Sequence, residues 1–184
     1  MRADSGRRGP MARVAGGRCV VAVSEKLLRL LVSSRIEYEL LPHREAFTAL
    51  EVAQTTHVAG RHVAKVVVVR ATGVRYLMAV LPASCHLDLA MLARLSGEKE
   101  LTLSKELEIR RLFPDCEVGA MPPFGNLYGL PLYVDACLME GDSIVFQAGN
   151  HHEVIRLNLA DYRQLARPFA AIECLHAGLA AAGR

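Results

Sequence analysis

A lysine stands at the mouth of a run of valines in GRHVAKVVVVR, residues 60–70. Alternate side chains of a strand share a face, so Val63, Lys65, Val67 and Val69 point one way and Ala64, Val66, Val68 and Arg70 the other. An ammonium group on that apolar face reads most simply as a side chain that snorkels from the strand end to water. The chain has four lysines against 18 arginines, so this lysine is drawn from a small pool. A second candidate is GAMPPFG, residues 119–125. Its glycines permit close backbone approach, and Pro122 and Pro123 stiffen what lies between. Such a loop can aim backbone N–H groups at a developing oxyanion. The prolines have no N–H, which leaves Gly119, Ala120, Met121, Phe124 and Gly125 as donors. The same loop also reads as a rigid connection whose Phe124 plugs the core.

Other combinations carry less. SCHLD, residues 84–88, sets serine, cysteine, histidine and aspartate side by side, but triads are assembled in space from separated positions. It reads as a loop running into a helix, with Asp88 near the start, where negative charge is favoured. His43, His57 and His62 show no ligand spacing, and neither C-x-x-C nor H-E-x-x-H occurs, so no metal is expected. No Walker loop or G-x-G-x-x-G run is present, and no cofactor is expected. His151 and His152 form either a substrate-selecting pair or solvated turn residues.

Elements that would position these residues follow from spacing. Ser24 caps a helix whose leucines share one side, and a strand follows at 38–43. Thr48 and Glu51 form a capping box for a helix that runs to about residue 58. Strands at 63–70 and 75–81, joined by ATGV, make an antiparallel hairpin. The spacing predicts a helix over 87–95 ended by Gly97, a strand in KELTL, and a helix over 105–112 capped by Ser104 and stopped by Pro114. After the 118–125 loop come strands at 131–135, 143–148 and 153–158. A last helix starts near Leu159, breaks around Pro168 and resumes through 170–180. Hairpins mixed with peripheral helices, without regular βαβ alternation, imply an α+β fold with a mixed, mostly antiparallel sheet.

Bulk properties set the frame. A length of 184 residues suits one core, and no apolar stretch reaches the roughly 18 residues of a membrane span. Residues 1–20 hold five arginines against one aspartate, so the remainder is close to neutral and is not a basic nucleic-acid binder by bulk charge. Their Gly, Arg and Ser content predicts a disordered basic extension ahead of a single domain at 21–184. A transit peptide, or a true start at Met11, gives the same pattern. Five scattered cysteines make no disulfide framework and point to a reducing, cytoplasmic setting.

Taken in order, RHVAKVVVVR, YLMAVLPAS, FPDCEVGAMPPFG, LPLYVDACL and IVFQAGNHHEVIRL resemble the YbaK/ProX-type aminoacyl-tRNA deacylases, relatives of the editing insertion of bacterial prolyl-tRNA synthetases. The likeness spans roughly residues 24–168. It implies a single YbaK-like α+β domain around a curved mixed sheet, which hydrolyses the ester joining a wrong amino acid to the 3′ end of a tRNA. By this resemblance Lys65 holds the 3′-terminal adenosine and its phosphate. Gly119 and its loop, with Ala120, Met121, Pro123 and Phe124, line the aminoacyl pocket, and Gly149, Asn150 and His151 form a variable rim. Many relatives have a serine where this chain has Pro122, which leaves substrate identity open.

An activated ester needs only a bound water and an oxyanion site, so the missing triad is no objection. The expected partner is mischarged tRNA, with a synthetase as a second candidate and a monomeric chain off the membrane. A rival reading is a non-catalytic module that keeps the pocket and recognises tRNA ends or a protein. A third is a scaffold that docks through the Ala- and Leu-rich segment beyond Pro168.

Overall fold

The computed structural model describes residues 23–73, 75–173 and 175–176. The expected extension at 1–20 therefore lies outside the described residues. Helix α1 (Glu25–Ser33) starts at Ser24, whose hydroxyl accepts the Leu27 N–H, and buries Leu27 and Leu31. Strand β1 (Tyr38–Pro42) follows, then α2 (Ala49–Thr55) behind the Thr48–Glu51 capping box. The valine run is β2 (Ala64–Ala71), which turns back into β3 (Tyr76–Pro82) with Lys65 opposite Leu81.

SCHLD contributes a two-residue strand, β4 (Cys85–His86), and Asp88, which caps α3 (Leu89–Ser96) by accepting the Met91 N–H. Gly97 ends that helix at φ 73°. Strand β5 (Leu101–Leu103) and helix α4 (Glu106–Leu112) follow. The cap of α4 is Lys105, not Ser104 as expected. The Ser104 N–H bonds Val68 O at 3.0 Å, which continues the β5–β2 pairing and keeps Ser104 on the strand side.

Beyond the loop come β6 (Leu132–Asp135), β7 (Ser143–Gln147), β8 (Glu153–Asn158) and α5 (Leu159–Ala166). The helix does not resume after Pro168. Arg167 takes a left-handed φ of 47°, the Phe169 N–H bonds Leu132 O, and β9 (Ala170–Ile172) lies parallel to β6. Strand β10 (Leu175–His176) pairs with β4, and the rest of the expected helix lies outside the described residues.

Five strands form one sheet in the order β5-β2-β3-β6-β9, antiparallel except for the β3–β6 and β6–β9 pairs. Three more form an antiparallel sheet in the order β1-β8-β7. This is the expected mixed, mostly antiparallel α+β fold, with its strands divided between sheets. An isolated parallel bridge, Val63 to Val145, joins the two larger sheets, reinforced by the Val145 N–H to His62 O bond of 2.9 Å.

The main core lies between these sheets and helices α1 and α5, and includes Leu31, Val68, Val80, Phe124, Phe146 and Tyr162. The other face of the five-stranded sheet packs Val69, Leu77, Leu81 and Tyr133 against Leu92 of α3. A third cluster, with Ala46, Val52, Val63, Ala83 and Val145, sits under α2 where the two sheets meet. Among the described residues no helix is long and apolar enough to cross a membrane.

Candidate active site

Lys65 is half-buried at the start of β2, and its ammonium donates to Ala83 O, just beyond the end of β3, at 3.3 Å. Ala83 belongs to the third cluster together with Ala46. Ala46 in turn leads to the glycine loop through His151, whose Nδ1 lies 3.1 Å from Ala46 O. A Cβ built on Gly119 would stand 3.5 Å from His151 Cε1 and 3.8 Å from Phe47 O. The strand lysine and the loop glycine, 54 positions apart in the chain, are thus linked through Ala83 and Ala46 of one buried cluster and through His151.

The loop is built from its own backbone. Gly119 is exposed at φ 95°, a conformation suited to glycine. The Ala120 N–H bonds Glu117 O, the Gly149 N–H bonds Ala120 O, and the Phe124 N–H bonds Pro122 O at 2.8 Å in a tight turn around Pro123. Two of the five expected oxyanion donors, Ala120 and Phe124, are therefore engaged inside the loop. Gly125 is buried against Leu130 and Leu132. The Gly119 N–H points at the Met121 thioether at 3.2 Å, a weak acceptor that a substrate oxygen can replace.

The remaining predicted site residues divide by what they touch. Phe124 is fully buried, edge-on to Phe146 and Tyr162, and Pro123 O accepts the Tyr162 hydroxyl at 3.0 Å. These two anchor the loop to the core. Ala120 and Met121 are buried beneath it. Gly149 packs on the start of α1, where a Cβ would lie 2.8 Å from Ser24 N. Asn150 is fully buried and accepts the His152 and Glu153 N–H groups while donating to Glu153 Oε2. It shapes the turn and presents no spare polar atom.

His151 is not a solvated turn residue, being only 7% exposed. The Gln147 amide donates to Ala46 O at 3.0 Å and lies 3.1 Å from His151 Nδ1, and Nε2 lies 3.1 Å from Val118 O. In the neutral imidazole Nε2–H donates to Val118 O and Nδ1 accepts from Gln147, which satisfies both nitrogens. The His151 N–H donates to Glu117 Oε2 at 2.9 Å. His151 and Gln147 together thus tie segment 43–47 to the loop, Gln147 holding Ala46 O and His151 holding Val118 O. His152 stays near the surface, 3.7 Å from Glu45 Oε1.

Sequence reasoning passed over Phe47, Ala83, Glu117 and Gln147, of which only Phe47, one residue ahead of the capping box, carried a local signal. Two cavities of about 430 and 340 Å³ lie elsewhere, one lined by Arg70, Gly73 and Thr102 and the other by Leu30, Asn126 and Arg167. Among the described residues no group of three His, Cys, Asp or Glu side chains is placed to hold a metal.

Residues 43–165 match the model of the aminoacyl-tRNA editing domain. The chain belongs to that family. It is 30% identical over 148 residues to the multifunctional Ser/Thr-tRNA deacylase ProXp-y of Escherichia coli K12, covering 78% of this chain and 88% of that one. Editing-family membership bears out the resemblance to YbaK/ProX-type proteins and makes the chain an aminoacyl-tRNA deacylase, a hydrolase. Solved structures share the fold. The hypothetical protein APE2540 superposes with a TM-score of 0.72 at 18% identity, over 82% of this chain and 99% of that one. An enzyme proposed to edit in trans for prolyl tRNA synthetase gives 0.70 at 20%, over 83% and 96%.

Proposed function

We propose that the chain hydrolyses the aminoacyl ester of mischarged tRNA in trans, with bound water as nucleophile. The observation that supports this reading is the linkage of Lys65, through Ala83 and Ala46, to His151 beside Gly119 in a chain of the editing family. Lys65 would hold the phosphate of the 3′-terminal nucleotide, a compact cation meeting a compact anion. Gly119 would bring its N–H to the ester carbonyl oxygen in place of the Met121 sulfur.

Water then adds to the carbonyl carbon and the oxyanion forms against that N–H. The intermediate collapses by breaking the bond to the ribose oxygen, which takes up the proton that the attacking water gives up. The products are a free amino acid and an intact tRNA 3′ end. His151 acts in this scheme by fixing the wall opposite Gly119, since both of its nitrogens already have partners. Ala120, Met121 and Pro122 form the loop wall, and Pro122 removes a hydroxyl that many relatives carry there.

The test is a deacylation time course on correctly and incorrectly charged tRNAs, wild type against Lys65→Ala. The panel includes Ala-tRNAPro and Cys-tRNAPro, and Ser- and Thr-charged species suggested by the Escherichia coli relative. Release from a mischarged species, slowed in the variant, is expected. No release from any species while tRNA still binds would overturn the reading in favour of a binding module.

A further inference from the structure

We infer that Phe47 is a stacking platform for the terminal purine base of the substrate, an inference that rests on the function proposed above. Phe47 occupies the position just before the α2 N-cap, where an apolar side chain usually packs against the residue four places into the helix. Here that residue, Val52, is fully buried, yet Phe47 is 61% exposed. Its ring lies on His151 instead, with centroids 4.8 Å apart and planes at 51°.

Both supports are rigid. The Phe47 N–H is held by Glu51 Oε2 at 2.9 Å, and His151 is fixed by Gln147 and Val118 O. An exposed aromatic whose backbone is held and whose ring rests on a fixed neighbour is partly preorganised for a flat partner, because some of the cost of ordering it is already met. Its position suits the substrate. Phe47 O lies beside Gly119, and from Phe47 the exposed apolar surface continues to Leu50, 51% exposed. Leu50 lies within 4.0 Å of a Cβ built on Gly60, and that Cβ would stand 3.9 Å from Ala83, the residue whose carbonyl receives Lys65. A relay of neighbours thus runs from the loop that would hold the ester, past Phe47 and the start of α2, to Gly60 and to Ala83, which receives the cation that would hold the phosphate. The moiety that joins those two groups in an aminoacyl-tRNA is the terminal nucleoside, and bases stack on aromatic rings with little regard to identity.

The chain has no tryptophan, so Phe47→Trp installs a single fluorophore at the platform. Saturable quenching by adenosine 5′-monophosphate, absent with ribose 5-phosphate, is the expected result. In kinetics, Phe47→Ala and Phe47→Leu should raise KM for the aminoacyl-tRNA substrate by roughly 5- to 100-fold with kcat within about twofold, and Phe47→Tyr should stay near wild type. A wild-type KM in Phe47→Ala, or an unquenched Phe47→Trp that still deacylates, overturns the platform and leaves the deacylase reading standing. Quenching by the nucleotide in a protein whose wild type deacylates nothing would overturn the deacylase reading while supporting a purine site.

Discussion

Two glycines in the same neighbourhood should respond to alanine in opposite ways. Gly119 has φ 95°, and an added Cβ would meet His151 Cε1 at 3.5 Å and Phe47 O at 3.8 Å, ordinary contacts. Gly119→Ala therefore adds backbone strain alone, about 1–2 kcal/mol. Gly149 has φ 112°, and its Cβ would stand 2.8 Å from Ser24 N and 3.1 Å from Ser24 Cβ. There the strain is joined by a clash with the first residue of the α1 cap, and together they cost about 2–6 kcal/mol.

Urea unfolding of the two variants should show Gly149→Ala as the less stable by a clear margin. Deacylation below the unfolding transition should show the reverse. Gly119→Ala would move the proposed oxyanion donor, a change worth roughly 100- to 1,000-fold in kcat elsewhere, whereas folded Gly149→Ala should keep most of its rate. Wild-type stability in Gly149→Ala, or a wild-type rate in Gly119→Ala, would refute the division between scaffold and site.

Lys65→Arg should fail to restore the KM lost in Lys65→Ala, because a planar guanidinium does not fit where an ammonium reaches past the strand end to Ala83 O. Tyr162→Phe should lower stability in urea by about 1–3 kcal/mol by leaving Pro123 O buried without its donor. The Glu51 carboxyl is held below its ordinary range by the N–H groups of Thr48 and Phe47. A depressed folded value means that this stabilisation is complete above the unfolded value, near 4.3, and is lost as pH falls through the folded value. Protection of the Phe47 and Thr48 amides, taken relative to intrinsic exchange at each pH, should accordingly fall in acid, and Glu51→Ala should show low protection at neutral pH.

Much of the fold was legible because local chemistry and tertiary structure agree. Ser24, the Thr48–Glu51 box, Asp88 and Gly97 mark helix ends by residue type alone. Ser104 misled because its backbone was already committed to the β5–β2 ladder, a long-range pairing that no local rule contains. The segment after Pro168 reads as helix by composition, yet β6 offers a parallel edge that it completes as β9.

Lys65 and the glycine loop stood out as residue types at odds with their surroundings. The partners that join them, Ala46, Ala83 and Gln147, are ordinary buried residues whose roles exist only once the chain has folded. His151 shows the same limit from the other side. A histidine pair after Gly-Asn looks like a polar turn, and only the arrival of segments 46–47 and 117–118 buries one of the two.

The Val63–Val145 bridge has a mechanical meaning. Two residues beyond it on one sheet is Lys65, and two residues beyond it on the other is Gln147, which holds His151. The proposed grip on the phosphate and the proposed wall facing the acyl group would thus ride on separate sheets joined at a pair of valines. The gap between them would be set by the opening of the sheets as well as by the side chains that line it. Apolar residues packed around the bridge, Val52 and Val154 among them, would therefore act as spacers, and changing their bulk should retune which amino acid fits without touching any atom that meets it.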